Sequence, residues 1–392
     1  MLWDAIIVGA GPAGCAAAYD LAAQGRAVLL VDKASFPRAK ACAGGLTMKA
    51  VAALRYSIGP VVRRTVREIV LEHGGEALSV GRWSPVCVMT VRAELDAYCL
   101  EQTRARGATF RQVGELRAVR EEADRVLLWF AGEVEPLSAR VLLGADGVNS
   151  RVRALCGPSP WFRRSFALEA NVPYSATGRE FPLVFDFAPV PGGYGWLFPR
   201  NDHVNVGLYT SSDGWAAGAN SRTAKAAGQA GRIDRRALTE YIAERCGTRN
   251  HEPAIGQYLG MGAARYVPAG TRVLLAGDAA GFVDPLTGEG IHGAIVSGQA
   301  AASAILVALG RGLDPGRLFT GKLRRLCADL AVAEGAAARF YAQPEHGLRL
   351  MRNPLIRRAV LHTYSQGSSL SLLARGVRTV RALGGAGRRS AI

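Results

Sequence analysis

The chain has 392 residues, of which 49% are hydrophobic and 20% charged, and its formal net charge is +16. Its length predicts two closely connected domains with a large core, and its composition excludes a disordered chain, a collagen-like repeat and a disulfide-dependent scaffold. The seven cysteines form no CxxC pair and no metal-ligand spacing, which favours a reducing compartment and predicts no metal site.

The first predicted elements form a strand, turn, helix and strand unit. Residues 5–8 are an apolar run that ends at a glycine, residues 12–24 have a helical pattern, and residues 27–31 are a second apolar run. No basic segment or cleavage-like site precedes the first strand, so no secretory signal is expected and the predicted location is cytoplasmic.

The turn between the first strand and the helix carries glycines at the spacing GxGxxG, from Gly9 to Gly14. Gly9 permits the tight turn, Gly11 lets the backbone approach a pyrophosphate, and Gly14 lets the helix pack on the strand. The helix N-terminus adds amide donors and the positive end of its dipole. Asp32 ends the second strand, where a carboxylate can bind ribose hydroxyls. These residues predict a dinucleotide site, and the loop alone leaves NAD and FAD open.

The later elements indicate a second domain. Strand-like runs lie at residues 126–130, 140–143 and 272–276, and the last two end in Gly/Asp turns. Residues 166–209 alternate apolar and polar side chains between Pro and Gly, which is typical of an antiparallel sheet. Residues 211–232, rich in Ala, Gly and Ser, are interpreted as a surface helix or loop.

The C-terminal part is predicted to be helical. The apolar stretch at residues 290–309 is interrupted by polar side chains, so a buried helix is expected there instead of a membrane span. Residues 344–392 carry nine arginines, one acid (Glu345) and apolar clusters, a pattern typical of an interfacial helix. The net charge therefore indicates an anionic partner, which is a membrane surface, a nucleic acid or a phosphorylated substrate. Arginine-rich genome composition and a solvated surface remain the alternatives, because only five of the 48 basic residues are lysines.

Three distant motifs distinguish FAD from NAD. They are Arg92-Ala93-Glu94-Leu95-Asp96, the turn from Gly144 to Gly147, and the segment from Gly277 to Gly290. With the GxGxxG loop, this set resembles the FAD-dependent aromatic-hydroxylase fold group. The resemblance implies that Asp278 holds the ribityl chain and that a helix starting near Gly290 points its N-terminus at the flavin pyrimidine, where it stabilises negative charge. FAD is therefore the predicted cofactor.

The resulting fold prediction is α/β. A Rossmann-type FAD-binding domain is interleaved with an antiparallel-sheet substrate domain, and a helical region follows. The predicted boundaries are 1–80 for the first part of the FAD-binding domain, 81–105 for an FAD-binding helix and linker, 106–155 for the second part, 156–262 for the substrate domain, 263–310 for the third FAD-binding part and 311–392 for a basic helical C-terminal region.

Two further segments resemble the geranylgeranyl reductase family. Residues 35–45, Ser-Phe-Pro-Arg-Ala-Lys-Ala-Cys-Ala-Gly-Gly, are similar to its PxxKxCGG signature, and residues 191–199, Pro-Gly-Gly-Tyr-Gly-Trp-Leu-Phe-Pro, are similar to its PxxYxWxFP box. The resemblance extends from the first strand to about Ile291. The chain departs from the family at Ala43, where Gly is usual, and at Asp32, where Glu is commoner. The first departure changes the loop over the flavin and leaves the substrate open.

This resemblance implies a set of site residues. Cys42 is the candidate catalytic residue, as a proton donor; a substrate contact or a packing role stays open. Tyr194, Trp196 and Phe198 are expected to line a tunnel for an isoprenoid tail, because alternate residues of a strand share one face. The cofactor is expected to contact Gly9, Gly11, Pro12, Ala13, Gly14, Asp32, Lys33, Cys42, Ala43, Gly44, Gly45, Arg92, Leu116, Asp146, Gly277, Asp278, Gly288, Gly290 and Ile291.

The implied function is FAD-dependent reduction of C=C bonds in an isoprenoid chain carried by a lipid, a quinone, a chlorophyll-type ester or a prenyl diphosphate. A hydride from the reduced flavin adds to one alkene carbon, and Cys42, water or a nearby acid supplies the proton, in a pocket that excludes water. NAD(P)H or a small redox protein is the expected external reductant. An aromatic hydroxylase or a flavin-dependent halogenase shares the FAD motifs and is the alternative.

The expected partners follow from that substrate. An isoprenoid or lipid substrate is predicted, and peripheral association with an anionic membrane, on its inner surface, is the additional hypothesis that the basic tail raises. No nucleic acid is expected, because no arginine and aromatic pattern of an RNA-binding module is present. A basic nucleic-acid-binding or membrane-binding protein with a vestigial flavin fold is the remaining alternative.

Overall fold

The computed structural model describes residues 1–210 and 233–372. The predicted surface segment at 211–232 and the end of the basic tail, with Leu373, Arg375, Arg378, Arg381, Arg388 and Arg389, lie outside the described residues.

The strands carry the labels β1 to β17 in chain order. They are β1 (Leu2–Val8), β2 (Val28–Asp32), β3 (Gly45–Thr47), β4 (Arg64–Val66), β5 (Glu68–His73), β6 (Glu76–Gly81), β7 (Cys87–Met89), β8 (Thr109–Gln112), β9 (Leu116–Glu121), β10 (Val126–Phe130), β11 (Leu137–Gly144), β12 (Arg163–Pro173), β13 (Leu183–Asp186), β14 (Gly193–Pro199), β15 (His203–Thr210), β16 (Ile255–Met261) and β17 (Val273–Leu275).

The α-helices of the described residues carry the labels α1 to α10. They are α1 (Pro12–Ala22), α2 (Met48–Ala53), α3 (Arg92–Ala105), α4 (Arg151–Leu155), α5 (Tyr174–Thr177), α6 (Arg235–Cys246), α7 (Ile291–Arg311), α8 (Pro315–Ala342), α9 (Pro344–Met351) and α10 (Pro354–Gln366). Short 3-10 turns lie at Gly59–Val61, Ala263–Arg265 and Gly277–Ala280.

The first sheet is a Rossmann-type sheet with an antiparallel arm. Its order is β8-β2-β1-β11-β10-β9, and β17 pairs with β11. The strands β8, β2, β1, β11 and β17 run parallel, with Ile7 opposite both Leu30 and Leu143. These central strands are nearly continuous apolar runs because helices cover the parallel sheet on its faces. The predicted α/β class with a helical C-terminal region is confirmed.

The helix α7 packs against α1 so closely that the backbones touch. A Cβ on Gly298 would overlap the carbonyl of Ala13, so glycine is needed at this crossing. Of the helices in the described ranges, α7 alone is long and apolar enough to cross a membrane, and 56% of its most apolar window is buried inside the protein. Its apolar character is therefore that of a core helix, as the interrupted sequence pattern predicts.

The second sheet has the order β16-β12-β15-β14-β13-β5-β6. It is antiparallel except where β13 runs parallel to β5, with Leu183 opposite Ile69. One face packs against α6 through Leu238 and Ile242, and the other face turns toward the first sheet. The sequence places residues 68–80 in the first FAD-binding part, whereas β5 and β6 extend this second sheet. Pairing across more than 100 residues leaves no local sequence signal.

The C-terminal helices pack against the aromatic face of the second sheet, opposite the face that α6 covers. Phe340 of α8 packs edge-on against Phe187, with ring centroids 4.7 Å apart, and Tyr364 of α10 packs against Phe185 at 6.4 Å. The hydroxyl of Tyr341 donates to the carbonyl of Leu286 at 2.6 Å. These helices therefore belong to the aromatic core of the molecule.

Candidate active site

A cavity lies between the two sheets and encloses about 1020 Å³ of empty space, its solvent-open part included. Its walls are the glycine loop after β2, the start of α7, the aromatic face of the second sheet and α10. The predicted site residues that line it are Pro12, Cys42, Ala43, Gly44, Gly45, Arg92, Tyr194, Trp196, Phe198, Asp278, Gly288, Gly290 and Ile291. The fold thus brings the two family boxes and the distant motifs to one place.

The GxGxxG loop forms a cradle beside this cavity. Gly9 has φ of +105°, and a Cβ there would overlap the carbonyl of Ala145. A Cβ on Gly14 would overlap the carbonyl of Gly9. At Gly11 the space is open, since the nearest atom to an added Cβ would be a guanidinium nitrogen of Arg38 at 3.6 Å. A bare backbone facing a cation is the surface that a pyrophosphate needs.

Asp32 is held at the end of β2 by two backbone amides. Its Oδ2 accepts from the Ala10 amide at 2.8 Å and its Oδ1 from the Ala34 amide at 2.9 Å. An ionised carboxylate has about four acceptor sites, so capacity remains for ribose hydroxyls. The cradle and this carboxylate therefore fit the adenosine half of FAD.

Other predicted cofactor residues lie outside the cavity lining. Lys33 is exposed, and Leu116, the first residue of β9, is buried in the core. Ala13 and Gly277 pack against each other and against α7, where a Cβ on Gly277 would lie 3.0 Å from that of Ala13. The carboxylate of Asp146 caps α4.

Asp146 stabilises the loop that presses against Gly9. Its Oδ1 accepts from the Ser150 hydroxyl at 2.6 Å, and its Oδ2 accepts from the Arg151 amide at 2.7 Å. Burial raises the pKa of Asp146, and the hydrogen bond from Ser150 opposes that shift. This carboxylate serves the helix N-terminus, so it supports the cradle through its backbone.

A buried charge cluster lies where the cradle meets the cavity. Asp96, which is fully buried, accepts two bonds of 2.9 Å from Arg92 and pairs with Arg38 at 3.1 Å. Burial alone would raise the pKa of Asp96, but the guanidinium groups of Arg92 and Arg38 outweigh it and hold that pKa below its usual value. Lys40 lines the cavity beside this cluster, and burial and Arg92 lower its pKa.

Sequence reasoning missed Arg38 and Lys40 as site residues, although both lie in the first family box. The sequence feature that could have identified them is a pair of basic side chains immediately before a glycine-rich loop, in a chain expected to bind a pyrophosphate.

The start of α7 faces the cavity next to Asp278. The carboxylate of Asp278 lines the cavity and accepts no hydrogen bond from the described residues, so it is available to a polyol chain. A Cβ added to Gly290 would lie 3.3 Å from Oδ1 of Asp278, so a side chain at this position would crowd the carboxylate. Glu289 caps the helix by accepting from the His292 amide at 2.6 Å. The side chain of His292 is outside the lining, and burial lowers its pKa to about 4.

The glycine loop that carries Cys42 is tied to the second sheet by Arg200. This buried guanidinium donates to the carbonyls of Thr90 at 2.9 Å and Phe198 at 3.1 Å, and also to that of Ala43. Burial lowers the pKa of Arg200 to about 10. Gly44 has φ of +64°, and a Cβ there would overlap the Thr90 carbonyl, so only glycine fits. Sequence reasoning missed Arg200, which directly follows the second family box.

The aromatic wall consists of Tyr194, Trp196 and Phe198, whose side chains line the cavity from one face of β14. The Trp196 indole lies across Gly207 and donates to Asn205 Oδ1 at 2.8 Å. The Tyr194 hydroxyl donates to a carbonyl of the segment before α7 at 2.6 Å. The rings of Tyr194 and Trp196 are therefore fixed, and Phe185, Tyr209 and Tyr364 extend the apolar wall.

Glu169 on β12 is a buried acid in this wall that sequence reasoning missed. Its Oε1 accepts from the Cys42 amide at 2.7 Å. Burial raises the pKa of Glu169 to about 7, although the bond from Cys42 and the charge of Arg200 oppose the shift. The sequence feature that could have identified Glu169 is a single charged residue in a mainly apolar strand, Phe166-Ala-Leu-Glu-Ala-Asn-Val172.

The chain matches a known family over most of its length. The sequence profile of the FAD binding domain family matches residues 3–320. A menaquinone reductase of Mycobacterium tuberculosis is 33% identical over 322 residues, which are 77% of this chain and 76% of that protein. A digeranylgeranylglycerophospholipid reductase of Methanopyrus kandleri is 29% identical, with 79% and 82% covered. A geranylgeranyl diphosphate reductase of Rhodobacter capsulatus is 26% identical, with 80% and 77% covered.

Solved structures show the same fold. A geranylgeranyl bacteriochlorophyll reductase-like protein of Thermoplasma acidophilum has a TM-score of 0.70 at 21% identity, with 86% of this chain and 88% of that chain covered. A flavin-dependent brominase has a TM-score of 0.74 at 17% identity, with 98% and 100% covered. At these identities the likeness concerns the fold alone.

Proposed function

This chain belongs to the FAD binding domain family, and we propose that it is a reductase that hydrogenates C=C bonds in an isoprenoid chain. The family membership, the resemblance to geranylgeranyl reductases and FAD as cofactor are confirmed. One observation carries the proposal for the substrate: the three rings of the second family box line the same cavity as the glycine loop of the first box. An apolar wall next to the flavin site suits an alkene chain.

The side chains have distinct roles in this proposal. When bound and reduced, FAD supplies the hydride for the alkene. Gly44 and Gly45 keep the loop thin, so the substrate and the ring system approach each other closely. The fixed rings of Tyr194 and Trp196 orient a flat alkene and exclude water, which an unactivated acceptor requires. Arg38 and Lys40 offer positive charge to the pyrophosphate side of the site.

The decisive experiment is an anaerobic single turnover. The purified flavoprotein is reduced with dithionite and mixed separately with menaquinone, geranylgeranyl diphosphate and a geranylgeranylated glycerophospholipid. Flavin reoxidation supports the proposal when the prenyl chain of the product is heavier by two hydrogens per double bond, and the arms identify the carrier of the chain. In the menaquinone arm the product mass is measured after air has reoxidised the quinone ring, because quinol formation also adds two hydrogens. If no prenyl substrate reoxidises the flavin, an aromatic substrate is added and oxygen is admitted. Oxidation of that aromatic substrate then supports the hydroxylase alternative.

Two neighbouring residues of β14 provide a matched pair of variants. Trp196 faces the cavity, whereas Leu197 faces the core next to α6, and both are at least 96% buried. Trp196→Leu is expected to raise KM for the prenyl substrate about tenfold or more while FAD content is unchanged. Leu197→Ala removes a comparable side-chain volume from the core beside α6 and should leave KM of the folded protein near the wild-type value. Equal effects of both would contradict a substrate role for the aromatic wall.

We further propose that the outer face of α10 docks on an anionic membrane. Its inner residue Tyr364 lines the cavity, whereas Leu355 is 79% exposed and Val360 is 42% exposed. Trp83 is fully exposed in the segment before β7, whose Val86 carbonyl accepts a bond of 2.9 Å from Ser365 of α10. Arginines next to this apolar surface supply the attraction to anionic lipid; those on or beside α9 and α10 are Arg349, Arg352, Arg357 and Arg358.

Vesicle sedimentation tests this surface. Binding to phosphatidylglycerol vesicles that weakens with salt and exceeds binding to phosphatidylcholine vesicles is expected. Leu355→Glu should weaken binding about tenfold or more. Val134→Glu is the control, because Val134 is 94% exposed in the turn between β10 and β11 of the first sheet. Equal binding to both lipids, or equal effects of both variants, would contradict the proposal.

The electron donor and location complete the proposal. NAD(P)H or a small redox protein is proposed to dock transiently and reduce the flavin. We propose that the protein is cytoplasmic and reaches its lipid substrate from the inner membrane surface. The unpaired cysteines favour this location, because the cytoplasm is a reducing compartment. Stopped-flow reduction with NADPH, NADH and a reduced ferredoxin measures which donor acts.

A further inference from the structure

We propose that Glu169 is the proton donor of the alkene reduction. Its carboxyl group delivers a proton to the alkene carbon that does not receive the hydride. This assignment rests on the proposed function, and it adds a chemical role for a residue outside both family boxes.

The sheet register places Glu169 next to the aromatic wall. Glu169 of β12 lies opposite Gly207 of β15, and Gly207 lies opposite Trp196 of β14. Because Gly207 has no side chain, the Trp196 indole extends over it toward β12. The acid and the indole are therefore neighbours on the face that lines the cavity, where the alkene chain is expected to lie.

Of the three most buried acidic residues in the described ranges, Asp96, Asp186 and Glu169, only Glu169 has no cationic partner. Asp96 bonds Arg92 at 2.9 Å and Asp186 pairs with Arg245 at 3.2 Å, so both are neutralised as ions. Glu169 forms no ion pair within the described ranges, and only 9% of it is exposed. A buried carboxyl without a counterion is stabilised in its protonated form.

The groups that face Glu169 keep its proton exchangeable. The Cys42 amide donates to Oε1 from the glycine loop, and the guanidinium groups of Arg92 and Arg200 act from beyond ion-pair distance. Asn205 contributes a side-chain hydrogen bond from β15. These four groups favour the carboxylate and oppose burial, so the pKa of Glu169 is raised only to about 7. An acid with this pKa is protonated in a large share of molecules at neutral pH and can recover its proton from solvent.

Cys42 forms hydrogen bonds with Glu169 and with its own loop. Its backbone amide holds Glu169, and its thiol sulfur accepts from the Gly44 amide at 3.3 Å. These contacts shape the loop.

In the proposed step the π bond breaks, the hydride forms one C–H bond, and the carboxyl proton of Glu169 forms the other. The remaining carboxylate then takes up one proton from water, so no reductant beyond the reduced flavin is needed.

Glu169→Gln tests the role directly, because the amide oxygen can still accept the Cys42 bond while the acidic proton is lost. The expected result is normal FAD content and a single-turnover hydrogenation rate at least about 100-fold lower. In the wild type the rate should fall as pH rises through about 7, and this dependence should vanish in Glu169→Gln. Glu169→Asp, which keeps an acid, should recover part of the rate, and Cys42→Ser should retain the wild-type pH profile.

Infrared spectroscopy gives a readout that needs neither flavin nor substrate. The C=O stretch of a protonated carboxyl should titrate near pH 7 in the flavin-free wild type and be missing from Glu169→Gln. A wild-type rate in Glu169→Gln, an unchanged pH profile, or the absence of that band would overturn the assignment. If the wild type hydrogenates no prenyl substrate, the proposed function fails first; if it does and Glu169→Gln does too, only the role of Glu169 fails.

Discussion

Asp96→Asn removes the negative charge on which the cluster beside the glycine cradle depends. Asp96 is fully buried and accepts two bonds of 2.9 Å from Arg92, whose side chain is 5% exposed. Arg38, the second partner, is 20% exposed and can turn toward solvent. Breaking a buried pair costs about 3 to 5 kcal/mol, because one ion stays buried without compensation. Since only Arg92 is trapped, the lower half of that range is expected.

Thermal unfolding of the flavin-free protein measures this cost. At about 2.1 cal/mol/K per residue, the unfolding entropy of a 392-residue chain is about 0.8 kcal/mol/K, so a loss of about 3 to 4 kcal/mol lowers the melting temperature by roughly 4 to 5 °C. The matched control is Asp20→Asn, because Asp20 accepts two bonds of 3.0 Å from Arg55, whose side chain is 54% exposed. A surface pair contributes about 1 kcal/mol or less, so this variant should melt within about 1 °C of the wild type.

The pH dependence has a definite sign. The folded-state pKa of Asp96 is below its ordinary value, so the pair stabilises the protein above the unfolded-state pKa of about 3.9 and loses this effect as pH falls through the folded-state pKa. The difference between wild type and Asp96→Asn should persist at pH 7 and shrink at acidic pH. A melting temperature of Asp96→Asn equal to that of Asp20→Asn at pH 7 would refute the reasoning.

Three further predictions concern the cradle, the aromatic wall and α7. Gly14→Ala should abolish FAD binding, measured by visible absorbance, whereas Gly310→Ala, in open space on α7, should bind FAD normally. Gly207→Ala should displace the Trp196 indole at a cost of about 1 to 3 kcal/mol, and unchanged tryptophan fluorescence and stability would contradict it. The folded pKa of His292 is about 4, below the unfolded value of about 6.5, so the unfolded state binds the proton first and stability should fall as pH falls across this range. His292→Gln should flatten that decline in melting temperature, and an unchanged slope would count against it.

The features of the site that depend on local chain geometry could be predicted from the sequence. The GxGxxG loop predicts the strand, turn and helix that the structure contains, because the turn geometry at Gly9 and the packing at Gly14 are local steric requirements. The three rings of the second family box share a face, since alternate residues of a strand point the same way. FAD and the family followed from these short patterns.

The surroundings of some predicted cofactor residues came only from the tertiary structure. Lys33 is exposed, and Leu116 is buried in the core. Asp146 ends a strand in a Gly/Asp turn like Asp278, yet its carboxylate caps α4 whereas that of Asp278 lines the cavity. Identical turn motifs do not specify which neighbour takes up the carboxylate.

Only the tertiary structure decided the chemistry of the cavity. Cys42 and Glu169 are 127 residues apart and meet because β12 crosses beneath the glycine loop. Tyr364 reaches the same cavity from α10, in a region where the sequence indicated only a basic, amphipathic surface. Periodicity shows which side of an element is apolar, but burial and the absence of a counterion arise from the packing of distant elements. Local pattern therefore determined the cofactor, and long-range packing determined the acid that stands beside the proposed substrate.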